Sequence, residues 1–185
     1  MKIKKFEFKK VLSTNKTAIR IIKQTKLNNG MIISDIQTKG KGQYGKKWIS
    51  YKGNFFVSIF FKFNRIKLSL NQMTKINCLL VKKLLSFYCK KKIKIKLPND
   101  LLIDQKKISG ILQEIYEKNN TTYMIIGIGI NLIKNPIIKD YPTTNLSYFT
   151  KLKINRNKLV TKLKNIYENF LPKLYNMKSK FTGKI

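Results

Sequence analysis

IKIKLPNDLLIDQKKISGILQEIYE, residues 93–117, decides the fold. Residues 93–97 alternate apolar and basic side chains without a break, the period of a half-buried strand. Pro98 interrupts that strand and restricts Leu97 to extended backbone. Residues 101–104 and 108–117 are apolar on either side of Gln105 and Lys106, and read as a hairpin. Asn99 and Asp100 stand at a strand end, where short polar groups can point into a site. The same pair equally suits a plain turn, and Lys106 and Lys107 equally suit a solvated tip. Gly110 inside a strand leaves room for close approach to the backbone.

Working outward, TTYMIIGIGINLI (121–133) reads as a long buried strand whose two glycines weaken it. Either something needs the space above them, or they make a bend. A loop with Pro136 and Pro142 leads to a helix near 155–170. Toward the N-terminus, residues 71–90 place Met73, Ile76, Leu80, Leu84 and Phe87 at steps of three and four, one apolar helix face. FFVSIFFKF (55–63) is a central strand, and MIISDI (31–36) a buried one. Ser13, Thr14 and Asn15 are N-cap types ahead of a helix over 15–26, which Asn28, Asn29 and Gly30 end. The first ten residues alternate as an edge strand. Strands in runs with helices between them predict an α+β fold with a mixed sheet.

The length of 185 residues fits one domain with a real core. No apolar run approaches the roughly 18 residues that span a membrane, and the N-terminus lacks a signal peptide's apolar centre, so a soluble cytoplasmic protein is expected. Basic residues number 40 against 8 acidic ones. Two readings of that charge stand. Abundant Lys, Asn and Ile suggest a genome biased toward A and T; alternatively the surface is selected for polyanions. Arginine, the residue for shaped phosphate recognition, occurs only at Arg20, Arg65 and Arg156. The absence of histidine excludes His bases, His metal sites and Ser-His-Asp triads. Cys78 and Cys89 lack metal-type spacing. Placed on one helix they would stand roughly 16 Å apart, too far for a disulfide, so both read as buried thiols and no metal site is expected.

QTKGKGQYGKKW (37–48) follows the strand at 31–36 and ends on the only tryptophan. Its glycines can bring backbone N–H groups close to a phosphate. The P-loop and dinucleotide spacings both fail, and a solvated turn accounts for the segment equally well when it is read alone.

Together the segments resemble the biotin protein ligase family. Ser13-Thr14-Asn15 is similar to its S-T-N signature, and QTKGKGQYGKKW to its Q-x-x-G-R-G-R-x-G-R-x-W loop. SYKGNFFVSIFF (50–61) is similar to S-P-x-G-N-L-x-x-S, KLPNDLLIDQKKISGILQE (96–114) to K-W-P-N-D-x₆-K-x-x-G-I-L-x-E, and GIGINL (127–132) to G-I-G-I-N-x. Five blocks agree in order over residues 11–133. The resemblance implies a mixed-sheet fold like the class II aminoacyl-tRNA synthetase core. It implies an ATP-dependent reaction through biotinyl-5′-AMP, then transfer to a lysine of a biotin carboxyl carrier domain of acetyl-CoA carboxylase or a related carboxylase. Mg²⁺ would arrive with ATP.

Carried over residue by residue, Ser13, Thr14, Asn15 and Gln37 would hydrogen-bond biotin's ureido ring or position neighbours that do. Gly40, Lys41, Gly42, Gly45 and Lys46 would fold over biotin and the adenylate phosphate, and Trp48 would close the apolar side. Lys107 would contact the biotin carboxylate and the α-phosphate. Asp100 would orient the acceptor lysine, Gly110 and Gly129 would leave room for the ligand, and Asn99 and Asn131 would lie near the nucleotide. Lys107, Asp100 and Lys41 are the implied catalytic residues.

The sequence departs from the family at three loop arginines, which are Lys41, Gln43 and Lys46 here, and at Leu97, which replaces a tryptophan. Loss of charge at Gln43 predicts weaker retention of the adenylate. LPKLYNMKSKFTGKI is too short for the C-terminal β-barrel of many members, and no DNA-binding domain precedes Ser13, so a catalytic core without repressor function or specific DNA binding is expected. Members are often homodimers, by analogy. Two rival readings remain: a degenerate domain binding RNA or another polyanion through its basic surface, and a lipoyl or octanoyl transferase of the same fold.

Overall fold

The computed structural model describes residues 1–64 and 66–176. Seven strands form one sheet: β1 (Lys5–Phe8), β2 (Asn29–Ser34), β3 (Phe55–Lys62), β4 (Ile93–Lys96), β5 (Asp100–Ile103), β6 (Lys106–Lys118) and β7 (Thr121–Ile130). Their order is β1-β2-β3-β7-β6-β5-β4. β1 and β2 run parallel, and every other neighbouring pair is antiparallel. Three helices join the sheet: α1 (Thr14–Gln24), α2 (Leu70–Ser86) and α3 (Arg156–Asn176). The mixed-sheet α+β fold read from the sequence is the observed one.

Alternation along the central strands sends side chains to two different environments. Met31, Ile33, Val57, Ile59, Phe61, Met124 and Ile126 pack with α2 and α3 in one large apolar core. On the other face Ile32, Phe60, Tyr123 and Ile125 pack with Ala18, Ile21 and Ile22 of α1. α1 covers only part of that face. Past it the same alternation brings Ser58 opposite Gly127, and Gly127 opposite Leu112. The next row across four strands is Phe56, Gly129, Gly110 and Asp100. Bulky residues therefore line the half under α1, while beyond it Ser58 and three glycines clear space between Leu112 and Phe56.

Several local expectations shift. The buried face of α2 is Met73, Thr74, Asn77, Cys78, Val81, Leu84 and Leu85. Phe87 is exposed, and Ile76 and Leu80 are only half-buried. Apolar counting missed this face because Asn77 is buried for its hydrogen bonds, accepting from Tyr167 Oη at 3.0 Å and donating to Gln113 at 2.9 Å. Cys89 lies past the end of α2; both cysteines are free and buried, as read. The hairpin turn falls at Asp104 and Gln105, one residue earlier than expected. Both have left-handed φ, 46° and 62°, which a two-residue hairpin favours and which aspartate tolerates. The last helix runs on to Asn176. The tail weighed against a β-barrel lies partly outside the described residues, from 177 onward.

Candidate active site

Lys107 reaches the open face through a β-bulge. Asp100 opposes Gly110 and Leu101 opposes Ser109, but Leu102 opposes Lys107, so Ile108 and Ser109 together face one residue. A bulge re-aims the side chains beyond it. Ile108 stays in the apolar core, while Lys107 joins Gly110 on the open side. Its Cε lies 3.3 Å from where a Cβ on Gly110 would stand. Lys107 Nζ sits 2.8 Å from Asp100 Oδ1, with both side chains mostly buried. The approach is too oblique for a hydrogen bond, since Asp100 Oδ1 has no hydrogen-bond partner. The two charges thus pair without exhausting either one.

This pair lines a cavity of about 300 Å³ whose floor is the glycine-bearing half of the sheet. Its inner end is polar. Residues 35–39 run beside 8–12, with Asp35 N donating to Phe8 O and Lys39 N to Leu12 O. That register carries Gln37 to the start of α1, where its Oε1 accepts from Thr14 N at 2.8 Å and Thr14 Oγ1 at 3.0 Å. Gln37 thereby caps α1 in place of the Ser13 hydroxyl, which makes no capping bond.

Beside it Asn15 is held from both ends. Its Nδ2 donates to Glu114 Oε2 at 2.6 Å and to Leu112 O at 3.4 Å, and its Oδ1 accepts from Ser58 Oγ at 2.5 Å. A carboxylate only accepts, so Glu114 fixes which way the Asn15 amide faces. Asn15 lies over Gly127, where a Cβ would stand 2.6 Å from its Oδ1.

The glycine-lysine loop is a small hairpin. Lys41 bridges Lys47, Gly42 N donates to Lys46 O at 2.7 Å, and Trp48 N to Gly40 O at 3.0 Å. Tyr44 and Gly45 turn its tip with φ of 54° and 73°. Lys41, Lys46 and Lys47 are exposed along the cavity rim. Trp48 lies flat on the sheet. A Cβ at Gly129 would stand 2.3 Å from its Cε2, and one at Gly110 2.7 Å from its Cζ3. The two glycines are what let the indole down onto the strands.

Of the residues expected from sequence, Ser13, Thr14, Asn15, Gln37, Lys41, Gly42, Lys46, Trp48, Asn99, Asp100, Lys107, Gly110 and Gly129 line this one cavity. Gln43 and Leu97 line it too. Gly40, Gly45 and Asn131 do not; Gly45 stands in open space at the loop tip. Gly40 is buried beneath the loop, where a Cβ would meet Trp48 O at 2.6 Å. Asn131 is buried behind the sheet end, donating to Thr144 O at 3.0 Å. Asn99 turns its amide to Ile111 O at 2.7 Å, holding β6.

Sequence reasoning missed Ser58, Tyr141 and Ser50, whose hydroxyl accepts from Gln37 Nε2 at 3.3 Å, and gave Glu114 no role. Strand alternation from Phe60 would have found Ser58; no local signal marks Tyr141. Cys78 is on the opposite face, its thiol pushed up to about 12 by burial and then by Asp100, so it is no nucleophile. Among the described residues no group of His, Cys, Asp or Glu side chains is placed to hold a metal ion, and no helix is long and apolar enough to cross a membrane.

The family model described as biotin/lipoate A/B protein ligase family matches residues 8–131. The bifunctional ligase/repressor BirA of Bacillus subtilis is 32% identical over 152 residues, 78% of this chain and 46% of that protein. The chain thus spans about half the length of the curated relatives it matches. Among solved structures, the biotin protein ligase of Aquifex aeolicus in complex with biotin and ATP is 26% identical with a TM-score of 0.80, covering 95% of this chain and 73% of that one. A bi-partite lipoate protein ligase of Thermoplasma acidophilum shares the fold, with a TM-score of 0.62 at 11% identity, over 93% of this chain and 84% of that one.

Proposed function

This chain belongs to the biotin/lipoate A/B protein ligase family, and from that premise we propose that it joins biotin to a lysine of a carrier domain, using MgATP. In the first step a biotin carboxylate oxygen attacks the α-phosphorus of ATP, and the bond to the β-phosphate breaks. The products are biotinyl-5′-AMP and pyrophosphate. In the second, the acceptor amine attacks the acyl carbon, the bond to AMP breaks, and the amine gives up a proton. The acceptor is the biotin carboxyl carrier domain of acetyl-CoA carboxylase or a related carboxylase.

The observation that carries biotin over lipoate is the polar inner end of the cavity. Ser13, Thr14, Asn15 and Gln37 gather there, backed by Ser58 and Glu114. A ureido ring offers two N–H donors and a carbonyl acceptor to such a wall. A dithiolane offers none of these, so the donor and acceptor capacity that the wall's internal bonds leave spare would lose water and gain nothing in its place, which is costly.

Lys107 gives the other end its cation. Its ammonium stabilises charge on the carboxylate and α-phosphate oxygens as they react. Asp100, 2.8 Å from it, is released from that pair when phosphate takes over the lysine, and then orients the incoming amine. Lys41 and Lys46 on the rim add charge toward the phosphates. Mg²⁺ comes with ATP as part of the substrate, held mainly by its phosphates and water.

The test is acceptor mass after incubation with MgATP, a carrier domain and either biotin or lipoate. Biotin addition is expected, falling roughly 100- to 1,000-fold in Lys107→Ala. Lipoate addition in its place would move the chain to the other branch of the family. Neither addition, with tight binding of single-stranded RNA that weakens steeply with salt, would make it a polyanion-binding domain.

A further inference from the structure

The loop between β7 and α3 is pinned by asparagines. Asn54 Oδ1 accepts from the N–H groups of Leu132, Ile133 and Lys134 at 3.0, 3.1 and 3.2 Å, and its Nδ2 donates to Lys134 O at 2.7 Å. At the far end Asn131 Nδ2 donates to Thr144 O at 3.0 Å, and Asn135 Nδ2 to Thr143 Oγ1 at 2.9 Å. So held, residues 142–144 run along the first residues of β6. Lys107 N donates to Pro142 O and Thr144 N to Lys107 O, both at 2.9 Å. Tyr141 therefore arrives at Lys107 by backbone pairing, not by chance of side-chain conformation.

Lys107 Nζ lies 5.0 Å from the centre of the Tyr141 ring and 5.6 Å from that of Trp48. Asp100 takes a third side at 2.8 Å. The Tyr141 phenol is held above its ordinary value, by burial first and then by Asp100, so the ring meets the ammonium as a neutral π-face. A free lysine side chain has four rotatable bonds and loses much entropy when fixed. A cation already in place stabilises a transition state without reorganising.

We propose that Tyr141 is a positioning residue for Lys107: with Trp48 and Asp100 it encloses the ammonium and keeps it aimed into the cavity before any anion arrives. The kinetic part of this inference rests on the ligase reading; the enclosure itself does not.

The experiment compares Tyr141→Leu and Tyr141→Phe in the full chain. Pyrophosphate release gives kcat and the biotin KM; proton–carbon NMR gives the Lys107 ε-CH₂ shift. Leucine is expected to lower kcat roughly 3- to 30-fold with biotin KM within about twofold, and phenylalanine to restore it. The ε-CH₂ protons, under two ring currents, should lie upfield in wild type and Tyr141→Phe and move downfield in Tyr141→Leu.

An equal loss in phenylalanine and leucine would transfer the role to the hydroxyl and overturn the inference. So would unchanged kcat in leucine, or a wild-type ε-CH₂ shift like that of an exposed lysine, a measurement that needs no variant to fold. If wild type releases no pyrophosphate with biotin or lipoate, the ligase reading falls. The NMR comparison then decides the enclosure alone.

Discussion

Val57 and Ser58 are neighbours on one strand and face opposite worlds. Val57 points into the core with α2 and α3, an apolar packing into which Tyr167, Asn77 and Gln113 carry polar groups that bond one another. Ser58 points to the side α1 leaves half open, where its hydroxyl holds Asn15. The first face is filled by volume, with Phe55, Phe61 and Met73 fully buried. The second is emptied by volume, with Gly110, Gly127 and Gly129 cleared for Trp48 and Asn15 along the floor of the cavity. Stability and binding are thus written on alternate residues of the same strands, and each can be altered while the other is left in place.

Phe61→Ala should break the filled face: a loss of about 3–5 kcal/mol in unfolding free energy, read by chemical denaturation, with ligand affinity per folded molecule unchanged. Gly129→Ala should do the reverse. Its Cβ needs space 2.3 Å from the indole of the chain's only tryptophan. Trp48 must lift off the sheet, moving its fluorescence to the red and weakening biotin or ATP binding roughly tenfold or more. Equal affinity for both ligands would show that the glycine serves the strand alone. Tyr167→Phe is the finest cut. It leaves Asn77 Oδ1 buried without its donor, at a cost of about 1 kcal/mol, and should leave the cavity's binding untouched. A drop in binding there would mean that the two faces communicate through the sheet.

How much of this could be read from the residues differs between the same two regions. The filled face announces itself by pattern, and the strands at 31–36, 55–63 and 93–133 lie within a few residues of their expected places. On α2 the face is turned from the expected one: the expected stripe passes over Val81 and Leu85 together with Asn77, which looks like a surface residue until Tyr167 is brought over it from far along the chain. The open face was legible through motif order rather than physics. Ser13 to Asn15, the lysine loop, Asn99-Asp100 and Lys107 converge on one cavity, which spacing alone left ambiguous. Its supporting partners were not legible. Glu114 and Ser58 act on Asn15 across 99 and 43 residues of sequence, and Tyr141 reaches Lys107 only because remote asparagines fold its loop back.

The bulge opposite Leu101 carries one more consequence. Lys107 and Gly110 are three residues apart, and an odd separation on a regular strand puts two side chains on opposite sides. The doubled pair at Ile108 and Ser109 corrects that parity. A one-residue deletion in a strand ordinarily reverses everything beyond it. Removing one of this pair would do the opposite, leaving Lys107 on the side of Gly110 and making the strand regular. What this stretch preserves is evenness of facing rather than length, so it is a place where the chain can lose a residue and keep its chemistry pointed the same way.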